Sequence, residues 1–101
     1  MRKRTQAREC ALKILYQMEM TGHPHDQIFP SFWESQPAPD DVREFAERLV
    51  RGTSEKLGVI DEKIAHYTEN WQLSRMAAVD RNILRFAAYE LLFIDEIPPK
   101  V

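Results

Sequence analysis

Residues 79–91 read VDRNILRFAAYEL, and this stretch carries the clearest helical pattern in the 101-residue chain. Its apolar residues recur every three or four positions, the spacing that places side chains on one face of an α-helix. The pattern predicts a last helix over about 75–94, with Ser74 as a possible N-cap and Pro98-Pro99 beyond its end. We expect the buried arc of this helix to contain Val79, Ile83, Phe86, Ala87, Leu91 and Ile94.

Helical spacing extends over most of the remaining sequence, and no stretch alternates apolar and polar residues with a period of two. The predicted helices cover about 3–20, about 25–35, a third segment from Asp40 or Asp41 to a break at Gly58, and a shorter segment around Ile60 and Ile64. Gly52 lies inside the third segment, where glycine costs about 1 kcal/mol relative to alanine, so we expect a close helix crossing there. The fold class is predicted to be all-α.

Length and composition limit the class of protein. A chain of 101 residues is sufficient for one domain. Cys10 is the only cysteine, which excludes an internal disulfide and fits a reducing cytoplasm. No apolar run reaches the length of a membrane span, and charged residues interrupt the N-terminal region where a signal peptide would be apolar. We therefore expect a cytoplasmic protein.

Positive charge is concentrated at the N-terminus. The first thirteen residues hold five of the fourteen Lys and Arg residues against one acid, Glu9, so this stretch carries about +4 while the formal net charge is −2. These basic residues are Arg2, Lys3, Arg4, Arg8 and Lys13. Such a cluster predicts binding to a polyanion, of which the nucleic-acid backbone is the commonest in a cell. The alternative is a solvated terminus without a ligand.

Two charged residues lie close to apolar faces. Glu90 falls within the apolar arc of the last predicted helix, and Arg8 falls beside the arc of the first. A buried carboxylate without a partner is costly, so we hypothesise a structural ion pair between Arg8 and Glu90. The alternative, that Glu90 is an acid catalyst, is disfavoured because no nucleophile or metal cluster accompanies it.

Other chemistry-bearing residues give weaker signals. Tyr16, Tyr67 and Trp71 could stack on RNA bases or be partly buried, and Tyr16 lies on the outer side of its helix. The three histidines lack metal-ligand spacing, and no glycine-rich phosphate loop or catalytic constellation is present. We therefore expect no metal, no cofactor and no enzymatic activity.

Several short motifs occur together along the chain. They are ARECA at 7–11 with LYQ at 15–17, FAxxLVxG at 45–52, ID at 60–61, WxLxR at 71–75, VDRNILRFAAYEL at 79–91 and IP at 97–98. In this order they resemble the NusB family of bacterial transcription antitermination factors. The resemblance covers nearly the whole chain, and it is specific because the motifs occur in family order.

The resemblance implies an all-helical NusB-like domain over 1–101, with an N-terminal bundle over about 1–70 and a partial second bundle over about 71–101. It implies binding to boxA-type RNA of ribosomal RNA transcripts together with the ribosomal protein NusE, in the transcription elongation complex. The resemblance assigns RNA binding to five residues: Arg2, Lys3, Arg4, Arg8 and Tyr16. Tyr67 and Asp80 match positions on the RNA or NusE side.

The chain departs from the family pattern after Ile97-Pro98, where family members continue with further helices. We therefore expect positions such as Phe86 and Leu91 to be exposed and to favour self-association or domain swapping. Two other functions stay open: a NusB-like domain of a ribosomal RNA cytosine methyltransferase, and a helical module that binds protein rather than RNA.

Overall fold

The computed structural model describes residues 2–67 and 72–94, and within these ranges the chain is helical without a β-strand. The helices are α1 Arg2–Thr21, α2 His25–Ser35, α3 Asp40–Glu55, α4 Leu57–Tyr67 and α5 Ala78–Phe93, with a short 3-10 turn at Leu73–Arg75. The all-α prediction is therefore confirmed. The described part of the chain holds no helix with both the length and the apolar character that a membrane span needs.

The chain separates into two compact units, Met1–Arg51 and Gly52–Val101. The sequence-based division into bundles near residue 70 stays a prediction. In the first unit, α1 and α2 bury their apolar faces together with the first turns of α3. The most deeply buried side chains there are Ala7, Ala11, Ile14, Ile28, Val42, Ala46, Leu49 and Val50.

Local signals place the ends of α1 and α2 correctly. Gly22 has a φ of 78°, the left-handed conformation expected of a glycine that ends a helix. Its amide donates to the Met18 carbonyl at 2.8 Å. Pro30 lies inside α2 on its exposed side, so the hydrogen bond that it cannot donate is lost where water can replace it.

In the second unit α5 packs against α4 and against the last turn of α3. Arg85 donates from Nε and Nη2 to the two carboxylate oxygens of Asp61, both at 2.9 Å. The ring of Tyr89 occupies the space where a Cβ would stand at Gly52. The close helix crossing predicted at Gly52 is therefore present, and only a residue without a side chain fits it.

Two predicted boundaries are wrong. Ser74 does not cap the last helix, because Arg81 Nη1 donates to the carbonyls of Leu73 (2.9 Å) and Met76 (2.8 Å) and holds these residues in a separate turn. Ala77 occupies the N-cap position instead. Gly58 does not mark the helix break either: it lies in the first turn of α4, and the interruption between α3 and α4 is at Lys56.

The buried face of α5 does not coincide with the predicted arc. It is rotated about the helix axis toward the side that carries Arg85 and Tyr89. Asn82, Phe86 and Glu90 are the buried residues of the helix, whereas Val79, Ile83 and Leu91 are exposed. Of the predicted buried arc, Phe86 (6% exposed) and Ile94 (3%) are buried, whereas Leu91 (82%) is not. The separate expectation that Phe86 and Leu91 are both exposed is therefore wrong for Phe86 and confirmed for Leu91. The contacts with Asp61 and Gly52 set this rotation, and apolar periodicity alone does not contain them.

Candidate nucleic-acid interface

The candidate interface is the outer side of α1. Ala7, Ala11 and Ile14 turn one face of this helix into the core, which leaves its basic residues at the surface. Arg2 and Lys3 are exposed, and Arg4 and Arg8 are half-buried along the flank. Tyr16, 42% exposed, lies on the outer face with Arg2, about 21 Å away along a helix rising 1.5 Å per residue.

The first turn of α1 contains three cations and no acid. Positive charge at a helix N-terminus opposes the helix dipole and costs about 0.3–1 kcal/mol per residue at an exposed site. Arg2, Lys3 and Arg4 therefore do not stabilise the helix that carries them. Their presence is better explained by groups of opposite charge outside α1.

One such group belongs to the protein itself. The Nζ atom of Lys3 lies 2.7 Å from Oδ2 of Asp41, in the first turn of α3. Both side chains are more than half exposed. The hydrogen bond from Lys3 is the main reason that the pKa of the Asp41 carboxyl lies below its usual range.

Arg4 is held differently. Its guanidinium carbon lies 3.9 Å from the centre of the Phe45 ring, which is a cation–π contact. The Nη1 atom of Arg4 is buried and has no hydrogen-bond partner. These residues line a cleft of about 490 Å³ whose walls are Lys3, Arg4, Asp41, Glu44, Phe45 and Arg48.

The ion pair predicted between Arg8 and Glu90 stays a prediction. Glu90 is 7% exposed and lies on the buried face of α5, as expected from its place among apolar residues. Arg8 is half-buried in the first unit. Neither Arg8 nor Glu90 is without an interaction partner.

Two further predicted site residues belong to the second unit. Tyr67, the last residue of α4, is 79% exposed, with its ring edge-to-face against His66 at 5.2 Å between centroids. Asp80 is exposed in the first turn of α5. Trp71 lies outside the described residues.

Sequence reasoning missed the residues of α3 that face the basic end of α1. Asp41 entered the sequence analysis only as a possible start of the third helix and Phe45 only as part of the FAxxLVxG motif, and neither suggested a contact with Lys3 or Arg4. The available signal was complementarity: α3 opens with two acids and α1 with three bases. The sequence separation of about forty residues gives no indication that the two ends meet.

Two observations on the described residues concern chemically reactive groups. Cys10 is buried, and burial is the main reason that the pKa of its thiol is raised, which disfavours the reactive thiolate. Within residues 2–67 and 72–94, no three His, Cys, Asp or Glu side chains come together in a way that could hold a metal ion.

Comparison with known proteins gives consistent results. The model of the NusB family matches residues 5–101. A protein of Anaeromyxobacter dehalogenans, named transcription antitermination protein NusB, is 45% identical over 100 residues, covering 98% of this chain and 70% of the relative. A protein of the same name from Syntrophus aciditrophicus is 40% identical over 101 residues, covering 100% of this chain and 63% of the relative.

Solved structures agree with the sequence relatives. NusB of T. maritima has a TM-score of 0.81 at 38% identity, over 94% of this chain and 67% of that one. A chain from a crystal structure of the antitermination factors NusB and NusE in complex with double-stranded RNA has a TM-score of 0.85 at 29% identity. That match covers 98% of this chain and 74% of the other.

Proposed function

This chain belongs to the NusB family, and on that premise we propose that it is an RNA-binding transcription antitermination factor. The proposed ligand is boxA-type RNA of ribosomal RNA transcripts, bound together with the ribosomal protein NusE in the elongation complex. The observation that carries the proposal is the exposed basic side of α1, in a fold similar to a chain of a NusB–NusE–RNA complex. This role would be carried out in the cytoplasm.

Four of the five cations of α1 are assigned a phosphate contact in this proposal. Arg2, Lys3 and Arg4 neutralise phosphates, and Arg8 adds a fourth contact one helical turn after Arg4. Each phosphate neutralised on a single strand adds about 0.7 to the slope of log K against log salt concentration. The exposed ring of Tyr16 is available to stack on a base, a contact worth about 1–3 kcal/mol. Tyr67 and Asp80, both exposed, are proposed to contact RNA or NusE.

A binding assay tests the proposal directly. Fluorescence anisotropy compares a labelled boxA RNA with a scrambled RNA of the same length, with and without NusE, across a series of salt concentrations. Changing Arg2, Lys3 and Arg4 together to Ala should weaken boxA binding at least tenfold at low salt and lower the salt slope by about 2. If the two RNAs bind equally under every condition, the protein is not a boxA factor.

A matched control separates the site from general charge. The triple variant with Arg43, Lys63 and Arg75 changed to Ala also removes three cations at exposed positions, none of them in α1. We expect this control to lower the affinity less than threefold. Equal losses in the two triple variants would show that α1 is not the phosphate-binding element.

The relatives support a role without catalysis, because they are named as antitermination proteins and not as enzymes. No observation favours the methyltransferase-domain alternative. Self-association stays part of the proposal, since Ile83, Leu91 and Leu92 are exposed apolar residues of α5. Light scattering coupled to gel filtration should detect a dimer or larger species that Leu91→Glu reduces.

A further inference from the structure

The basic end of α1 is partly neutralised by the protein itself. Of the cations there, Lys3 has its ammonium nitrogen 2.7 Å from the Asp41 carboxylate. Arg4 rests on the Phe45 ring, and its buried Nη1 atom has no hydrogen-bond partner. An anion that binds Lys3 therefore meets an existing ion pair, whereas one that binds Arg4 meets a guanidinium group held against an aromatic ring.

The Asp41 carboxylate is oriented by its own helix. Its Oδ1 atom accepts a hydrogen bond from the backbone amide of Val42 at 2.8 Å, which leaves Oδ2 for Lys3. Asp40, one residue earlier, is used differently, because its Oδ1 accepts from Arg43 of the same helix at 3.0 Å. Two adjacent acids of one helix turn thus have separate partners, and only Asp41 reaches α1.

We propose that Asp41 is an intramolecular competitor for phosphate that holds Lys3 until RNA displaces it. This inference rests on the proposed function and assigns to it a residue that determines affinity. A phosphate that approaches Lys3 must replace an existing ion pair, and the released carboxylate then lies close to the phosphate and repels it. A single phosphate gains little from this exchange, whereas a strand that also reaches Arg2, Arg4 and Arg8 compensates for it.

If Asp41 competes with phosphate for Lys3, removing the charge of Asp41 should raise the affinity for RNA. Asp41→Asn keeps the acceptor for the Val42 amide and removes only the charge that holds Lys3. We expect boxA RNA to bind this variant about twofold to fivefold more tightly at low salt, the range typical of exposed ion pairs. The increase should shrink as salt is raised, because screening weakens the ion pair in the unbound protein.

Asp40→Asn is the matched control, since it makes the same chemical change one residue away on an acid that does not contact Lys3. It should change the affinity less than 1.5-fold. Lys3→Ala supplies the second test: if Asp41 acts through Lys3, adding Asp41→Asn to Lys3→Ala should give no further gain. Equal effects of the two Asn variants, or a gain that persists without Lys3, would overturn the inference.

Heparin binding distinguishes this inference from the proposed function, because a displaced ion pair affects any polyanion. The Asp41→Asn variant should elute from a heparin column at higher salt than Asp40→Asn. If boxA and scrambled RNA bind equally, the proposed function is wrong. The difference in elution between the two Asn variants would still test whether Asp41 competes with a polyanion for Lys3. If boxA binding is specific and the two variants elute together, the competition alone fails.

Discussion

Replacing Gly52 with alanine should destabilise the protein, although alanine is the better helix former. The substitution removes a helix-propensity cost of about 1 kcal/mol. The new Cβ would overlap Cζ, Oη and Cε1 of the Tyr89 ring, so the ring must leave its position. Overpacking of this kind costs about 1–3 kcal/mol. Displacing Tyr89 also weakens its stacked contact with Phe93, whose centroid is 5.4 Å away, by about 0.5–1.5 kcal/mol.

The net effect is a loss of about 0.5–3.5 kcal/mol, measured as the free energy of unfolding in urea followed by circular dichroism. For a protein of this size, each kcal/mol lowers the melting temperature by about 4–8 °C. Gly58→Ala is the matched control, because no atom lies within 4 Å of the added Cβ, and it should stabilise by up to about 1 kcal/mol.

If the Tyr89 ring causes the destabilisation, the added methyl group at position 52 should cost stability only while that ring is present. In a Tyr89→Ala background, Gly52→Ala should therefore become neutral or stabilising. If the two glycine variants gain stability equally in the wild-type background, the close approach of Tyr89 to α3 does not exist in solution. A loss that persists in the Tyr89→Ala background would assign the cost to the backbone of α3 instead.

Three further expectations concern single side chains. Trp33→Phe removes the hydrogen bond that indole Nε1 donates to Glu47 at 2.8 Å and should cost about 1 kcal/mol in urea unfolding; an unchanged midpoint would contradict the contact. Arg85→Lys replaces the two-pronged contact with Asp61 by a single donor and should cost about 1–2 kcal/mol, whereas full stability would show that the fork is unnecessary. The Cys10 thiol, buried and with a raised pKa, should react with a thiol reagent at pH 7 only after unfolding; rapid reaction in native buffer would place it at the surface.

The helices of the first unit could be predicted because their signals are local. Gly22 and Pro24 mark the end of α1 and the start of α2, and the apolar spacing identifies the buried faces of both. The last helix shows the limit of such reasoning. Its existence follows from periodicity, but its rotation depends on Asp61 and on the missing side chain at Gly52, which are distant in sequence.

The candidate interface, too, could be predicted from the sequence only in part. Charge counting finds the basic end of α1 because the basic residues are consecutive in sequence. It cannot find the acid and the ring that α3 places against them, since only the packing of α1 and α3 brings Lys3 to Asp41 and Arg4 to Phe45. The predicted charge of about +4 therefore overstates the positive charge that a ligand encounters.

Three polar residues of the segment 79–91 stabilise the fold. Arg81 fixes the preceding turn, Asn82 bonds the Ala78 carbonyl, and Arg85 joins α5 to α4. Apart from Asp80, the stretch that best identifies the family thus specifies the scaffold, while the proposed phosphate contacts and Tyr16 lie in residues 2–16. The two regions can diverge independently in evolution. A homologous gene that retains this segment but loses the basic residues of α1 would still be recognised as a relative, and its product would have the same architecture without the ligand.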